Sequence, residues 1–233
     1  MTALHNIAPQ ATPDSRSTGR PPIAGKTGGR NSATIRRIVA AAESIFAEQG
    51  IDGARTEAIA RAARVNKALL YYYFKSKEDL HRFTLQTLFE QMSVQVGSAM
   101  QEAATPREQL VNYVNGYFDF TSQHPNYPRL VQREVMGRKQ SLHWIVRVSF
   151  GPLYRRLTAT IRSGIARGEF RRVDPQNTTV TLIALTVFYF AAAPVLGELW
   201  GCDPLAPARV AARRRSVLDF LEHGLFQQGV RTR

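Results

Sequence analysis

Between Thr56 and Lys77 the chain gathers side chains suited to gripping a polyanion. Hydroxyls stand at Thr56, Tyr71 and Tyr73, ammonium groups at Lys67 and Lys77, and short apolar groups at Ala68 and Leu69. Such a set does recognition chemistry rather than bond-breaking chemistry. Hydroxyls and ammonium groups meet phosphate oxygens, a lysine can instead reach a guanine edge, and Ala68 or Leu69 can touch a thymine methyl. Thr56 falls where a short helix begins, and backbone N–H groups there suit a phosphate oxygen. Catalytic patterns are missing from the sequence. The histidines His5, His81, His124, His143 and His223 are scattered, with no short-spaced pair of the H-E-x-x-H kind. No G-x-S-x-G and no phosphate-cradling glycine loop occurs, and Cys202 is the single cysteine, so a disulfide framework or multi-cysteine zinc site is excluded. The expectation is a protein that is not an enzyme, with no cofactor and no metal.

The elements that must hold these groups read as helices. Ile35, Ile38, Val39, Ala42, Ile45 and Phe46 recur at helical spacing, with Ser32 as cap and Gly50 as stop. Thr56 is expected to cap a second, short helix with Glu57 in its first turn. A tight turn at Arg64 leads to a third, with Asn66 as its cap. Ile59, Ala60, Ala63, Val65, Leu70 and Phe74 are its inward positions, and Ala60 is small where the two short helices cross. This is the form of a helix-turn-helix, whose second helix enters a major groove.

The chain has 233 residues, a formal charge of +13 and a pI near 10.5. That excess favours nucleic acid or an anionic membrane surface and does not choose between them. Residues 1–31, rich in Pro, Gly, Ser and Thr and carrying Arg16, Arg20, Lys26 and Arg30, are expected to form a disordered basic arm. The arm contains no apolar h-region, so no signal peptide is expected, and a reducing, cytoplasmic setting fits the single cysteine.

Beyond Lys77 every segment again has helical periodicity. A long helix runs towards Met100, and Pro106 opens another that ends near His124-Pro125. A short one spans Tyr127 to Met136. The next runs from Leu142 to Arg167, with a kink at Gly151-Pro152. A very apolar helix follows from Asp174-Pro175 to about Trp200, and an amphipathic one closes the chain. Val180 to Leu196, interrupted by Thr181, Thr186 and Pro194, falls short of the roughly twenty apolar residues of a spanning helix, so no membrane contact is expected. The class is all-α.

The run Leu70-Tyr71-Tyr72-Tyr73-Phe74-Lys75-Ser76-Lys77-Glu78-Asp79-Leu80, with Phe46, Gly50, Thr56 and Ile59-Ala60 ahead of it, resembles the signature of the TetR family of bacterial transcriptional regulators. Arg64 departs from it where the family usually has Gly, and Asn66 where Ser or Thr is common. The resemblance implies a three-helix DNA-binding head over residues 32–78, a ligand-binding and dimerisation body over 79–228 and a flexible tail at 229–233. It assigns DNA contact to Thr56, Lys67, Ala68, Leu69, Tyr71, Tyr73 and Lys77. Gly164 to Phe170, then Val173-Asp174-Pro175, matches the turn before the family's last two helices, which pair with their copies in a homodimer. An inducer cavity is expected among Tyr113, Tyr117, Phe120, His143, Trp144, Arg147, Phe188 and Tyr189, with His124, Arg129 and Gln132 as further polar anchors. The implied protein is a repressor that binds a palindromic operator in double-stranded DNA and is released by a small-molecule effector. The alternatives are a ligand-independent activator or architectural DNA binder, and a membrane-associated helical protein.

Overall fold

A computed structural model of the chain describes residues 29–137, 144 and 146–227. The basic arm up to residue 28, the tail from 228, and His143 lie outside the described residues. Among those described there is no strand, only an isolated antiparallel bridge between Phe170 and Phe226.

Three helices form the head: α1 (Gly29–Gly53), α2 (Thr56–Ala62) and α3 (Lys67–Tyr73). α1 begins ahead of Ser32, whose hydroxyl accepts from Arg36 at 2.7 Å instead of capping the helix. Its straight part ends at Gly50, which takes φ 68°, ψ 173°. Ile38, Ala42 and Phe46 are buried against Ile59, Ala60, Ala63, Leu70 and Phe74, the stripe expected from the periodicity. α2 starts at Thr56, so the extended Arg55 holds the cap position and makes no side-chain cap bond. α3 is capped by Asn66, whose side chain accepts from the Leu69 N–H at 2.7 Å.

α4 (Lys77–Gln101) leaves the head and enters the body without a break. Ser76 caps it by accepting from the Asp79 N–H at 3.1 Å, and Asp79 accepts in return from the Lys75 N–H at 3.1 Å. α5 (Pro106–Gln123) opens with a capping box between Thr105 and Glu108 and has proline in its first turn, where the missing N–H costs nothing. α6 (Tyr127–Gly137) follows. A π-helical turn, Val146–Phe150, then leads into α7 (Gly151–Ala166). Gly151 has a steric reason: a Cβ there would lie 2.6 Å from the Val146 carbonyl oxygen.

Just past the end of α7, Gly168 takes the left-handed region at φ 73°, and the chain folds back so that the Phe170 ring covers Gly164. The segment expected as one apolar helix to Trp200 is two, α8 (Pro175–Ala191) and α9 (Ala193–Trp200), bent by 66°. Pro194 in the first turn of α9 lacks the N–H that would continue α8. No single described helix is long and apolar enough to cross a membrane. α10 (Pro207–Gly224) completes the body. Buried hydroxyls stitch these helices together: Tyr113 with Thr186 at 3.0 Å joins α5 to α8, and Thr158 with Thr179 at 3.0 Å joins α7 to α8.

The turn between α2 and α3 holds the one described non-glycine residue with positive φ, Arg64 at 55°. A side chain in that region costs about 1–2 kcal/mol, partly offset by the unfolded-state freedom a glycine adds, about 0.5–1 kcal/mol. Arg64 is exposed. Arg64→Gly is therefore expected to stabilise the protein by about 0.5–1 kcal/mol, read from the urea midpoint at unchanged slope. A lower midpoint would show that the guanidinium does more for the turn than its backbone strain costs.

Candidate nucleic-acid interface and body cavity

Leu70 and Phe74, one helical turn apart, are fully buried and fix the inward face of α3. Lys67, Ala68, Tyr71 and Tyr72 consequently face solvent, while Leu69 and Tyr73 are half-buried. Tyr72 is the most open of these, 76% exposed, and packs edge-on against Tyr73 at 5.1 Å. It was not among the contacts expected from the sequence. The signal was there: Tyr72 stands nearly opposite the Leu70–Phe74 stripe on a helical wheel.

Three of the expected DNA contacts meet in one polar cluster. Lys67 forms an ion pair with Glu57 from the start of α2, and its ammonium lies 5.9 Å from the Tyr71 ring centroid. The Tyr71 hydroxyl is 3.3 Å from that of Thr56, which is mostly buried. Hydrogen bonding to Lys67 holds the Glu57 carboxyl below its ordinary pKa, and Glu57 correspondingly raises the Lys67 ammonium. Lys77 lies apart from this cluster. Its ammonium donates to the carbonyls of Ala54, at 3.1 Å, and Asp52, at 3.5 Å, where α1 ends. Cations at a helix C-terminus are favoured there.

In the body, a cavity of about 510 Å³ opens between α5, α6, the π turn, α7 and α8. Tyr113 and Tyr117 line it, together with Tyr127, Val131, Gln132 and Phe150. Burial pushes the Tyr113 phenol up to about 12 and that of Tyr117 well above its usual range, so both stay protonated. The other residues expected here stand elsewhere. Phe120 is in the closed core, stacked on His124 at 4.4 Å. Tyr189 is buried with its hydroxyl on the Pro204 carbonyl. Trp144 is half-buried against Phe89, 6.2 Å away, and does not line the cavity. Arg147 is exposed beside the cavity-lining Val146, and Phe188 is 66% exposed on the outer side of α8. Of the further anchors, Gln132 reaches the cavity, while Arg129 borders a smaller groove near Pro204. Among the described residues no group of His, Cys, Asp and Glu is arranged to hold a metal ion.

Head and body meet a second time through α6. Arg133 donates from Nε to the Ala47 carbonyl at 3.1 Å and from Nη2 to the Glu48 carbonyl at 2.9 Å. These are the last carbonyls of α1 before its break at Gly50, and a Cβ on Gly50 would sit 3.1 Å from Arg133 Nη1. Next to it, Glu134 lies 3.7 Å from His81 Nε2, and His81 packs edge-on against Phe46 at 4.8 Å. Nothing in the α6 sequence announces this role, because the arginine serves backbone carbonyls that lie about 85 residues away in the chain.

Comparison with known proteins fits this geometry. Residues 38–82 match the family profile described as bacterial regulatory proteins, tetR family, and residues 106–221 match the tetracyclin repressor-like C-terminal domain. The transcriptional repressor NicS of Pseudomonas putida is 29% identical over 172 residues, covering 71% of this chain and 80% of that protein. Among solved structures, the regulator FadR of Bacillus subtilis in complex with stearoyl-CoA superposes with a TM-score of 0.67 at 21% identity, covering 81% of this chain and 98% of that one. AibR in complex with isovaleryl coenzyme A and operator DNA gives 0.66 at 17%, covering 80% and 97%. With a head and a body that each match, joined through α4 and α6, this chain belongs to the TetR family of bacterial helix-turn-helix transcriptional regulators.

Proposed function

We propose that the protein is a repressor that binds a two-fold symmetric operator as a homodimer and releases it when a small molecule occupies the body cavity. The observation that carries this reading is the double engagement of α6. One side of the helix lines the cavity with Val131, Gln132 and Val135, and the other holds the end of α1 through Arg133. A ligand that displaces α6 thus shifts the head. To release DNA it must bind the DNA-incompetent arrangement more tightly, and a coupling of about 1–3 kcal/mol loosens the operator roughly 5- to 150-fold. The ligands named for FadR and AibR belong to those proteins; they support an effector-binding body here and leave its ligand to this chain's own chemistry. The cytoplasm is the matching site of action.

On the DNA side, Lys67, Ala68, Leu69, Tyr71 and Tyr73, joined by Tyr72, form the proposed reading surface, with Thr56 beside it at the start of α2. Lys77 acts from behind, holding the end of α1. The Glu57–Lys67 pair must open before a phosphate can take the ammonium. Lys67→Ala should weaken binding to an operator selected from random duplexes and reduce the salt slope by about 1 per head. Glu57→Gln, which frees the ammonium, should tighten it several-fold at low salt. Wild-type affinity and slope in Lys67→Ala would put the docking face elsewhere on the head.

For assembly, Val180, Phe188, Leu199 and Phe220 leave apolar surface open on α8, α9 and α10, each more than half exposed. Large apolar side chains left open on these three helices are the natural material of an interaction surface. The dimer would set two heads about 34–36 Å apart on successive major grooves. Phe188→Asp combined with Phe220→Asp should give a helical monomer in sedimentation, since burying an unpaired charge costs several kcal/mol. If the double variant still sediments as a dimer, the pairing uses another face.

A further inference from the structure

Among the described residues, no Asp, Glu, Lys, Arg or His lines the cavity. Its polar atoms are Gln132 and tyrosine hydroxyls. Tyr113 is already committed, paired with Thr186 at 3.0 Å, and Thr186 in turn donates back along its own helix. The hydroxyls of Tyr117 and Tyr127 have no hydrogen-bond partner among the described residues, although both rings are almost wholly buried. Neither oxygen is among the sealed, unpartnered side-chain atoms of the described residues, which are Arg213 Nε and Arg214 Nε. Two hydroxyls that line the cavity and bond to no described residue mark where a ligand's polar atom can be met. Burial holds both phenols above their ordinary pKa, and each is therefore a proton donor at neutral pH. An anionic ligand would find no countercharge among the described lining residues and lose its hydration, whereas a carbonyl oxygen can accept from such donors.

At about 510 Å³ the cavity is of the size that small-molecule sites have. Val135 and Val146, each a little under half exposed, make its mouth apolar as well.

We propose that the cavity takes an uncharged, largely apolar carbonyl compound whose oxygen accepts from the hydroxyls of Tyr117 and Tyr127. The proposal rests on the reading of this cavity as the effector site.

Titration calorimetry on the full chain tests it with matched probes. Flavanone and 2-undecanone are the neutral ketones, flavone-8-carboxylate and decanoate their anionic counterparts, and decanoyl-CoA a chain with its charged group outside. The ketones are expected to bind at least tenfold more tightly than the carboxylates. Tyr117→Phe and Tyr127→Phe, which keep ring and volume, should each weaken ketone binding about five- to tenfold with an unchanged melting temperature. Tighter binding of a carboxylate or of decanoyl-CoA overturns the proposed class, as does wild-type ketone affinity in both phenylalanine variants. Failure of both ketones to bind also overturns it. Operator affinity is read separately. Ketones that bind yet leave operator affinity unchanged would uphold the site and sink the effector reading. Arg133→Ala, outside the cavity, should bind ketones normally while its operator affinity responds less to them.

Discussion

Because α4 runs unbroken for 25 residues, from Lys77 to Gln101, head and body have no joint between them. A helix of that length spans about 37 Å. Leu80 near its start is buried in the head and Met100 near its end is buried in the body, so its ends are anchored in both cores. A boundary drawn at residue 78 or 79 falls inside its first turn. The head can change its angle only if α4 tilts as a rod, and α6 supplies the second strut. The Arg133 guanidinium closes that strut onto carbonyls that α1 leaves open where it breaks.

The body reconciles two demands. It must be apolar enough to pack the seven described helices α4 to α10 around an open cavity, yet specific enough to have one arrangement. Threonines meet both. Thr84, Thr121, Thr158, Thr179 and Thr186 are buried, and each returns its hydroxyl to a carbonyl of the preceding turn. None of these five hydroxyls is stranded, and Thr158 and Thr186 still reach a partner on a neighbouring helix. Such buried contacts select one register between helices at little cost.

Much of the head could be read directly from the chain. Two local signals there act as expected, Asn66 as a cap and the turn at Arg64, whereas the caps expected at Ser32 and Thr56 are not made and the one at Ser76 was not among those expected. Local signals act within four residues and survive without knowledge of the rest. In the body the same reasoning located helices but not the sides they turn inward. α8 is apolar on most of its surface, so periodicity could not separate Phe188, which points out, from Ile183 and Val187, which border the cavity. Phe120 and Tyr189 were candidates by ring type alone, yet what decides their place is the neighbour each ring meets. The break in α8 needed the weight of Pro194 set against a long apolar run. The role of Arg133 depends wholly on tertiary contact.

The π turn from Val146 to Phe150 gives the cavity a property that side-chain chemistry alone does not. A π turn carries one residue more than the α-helix around it can seat. Loss of a single residue there lets the segment relax to α geometry while the helix after it keeps its phase, so the side chains of the turn itself are the ones re-aimed. Val146 stands at the mouth and Phe150 inside, on either end of that turn. A one-residue deletion therefore changes which side chain guards the entrance while every helix around it keeps its sequence. Close relatives that differ in length at this point can diverge in what they admit without any substitution in the cavity wall.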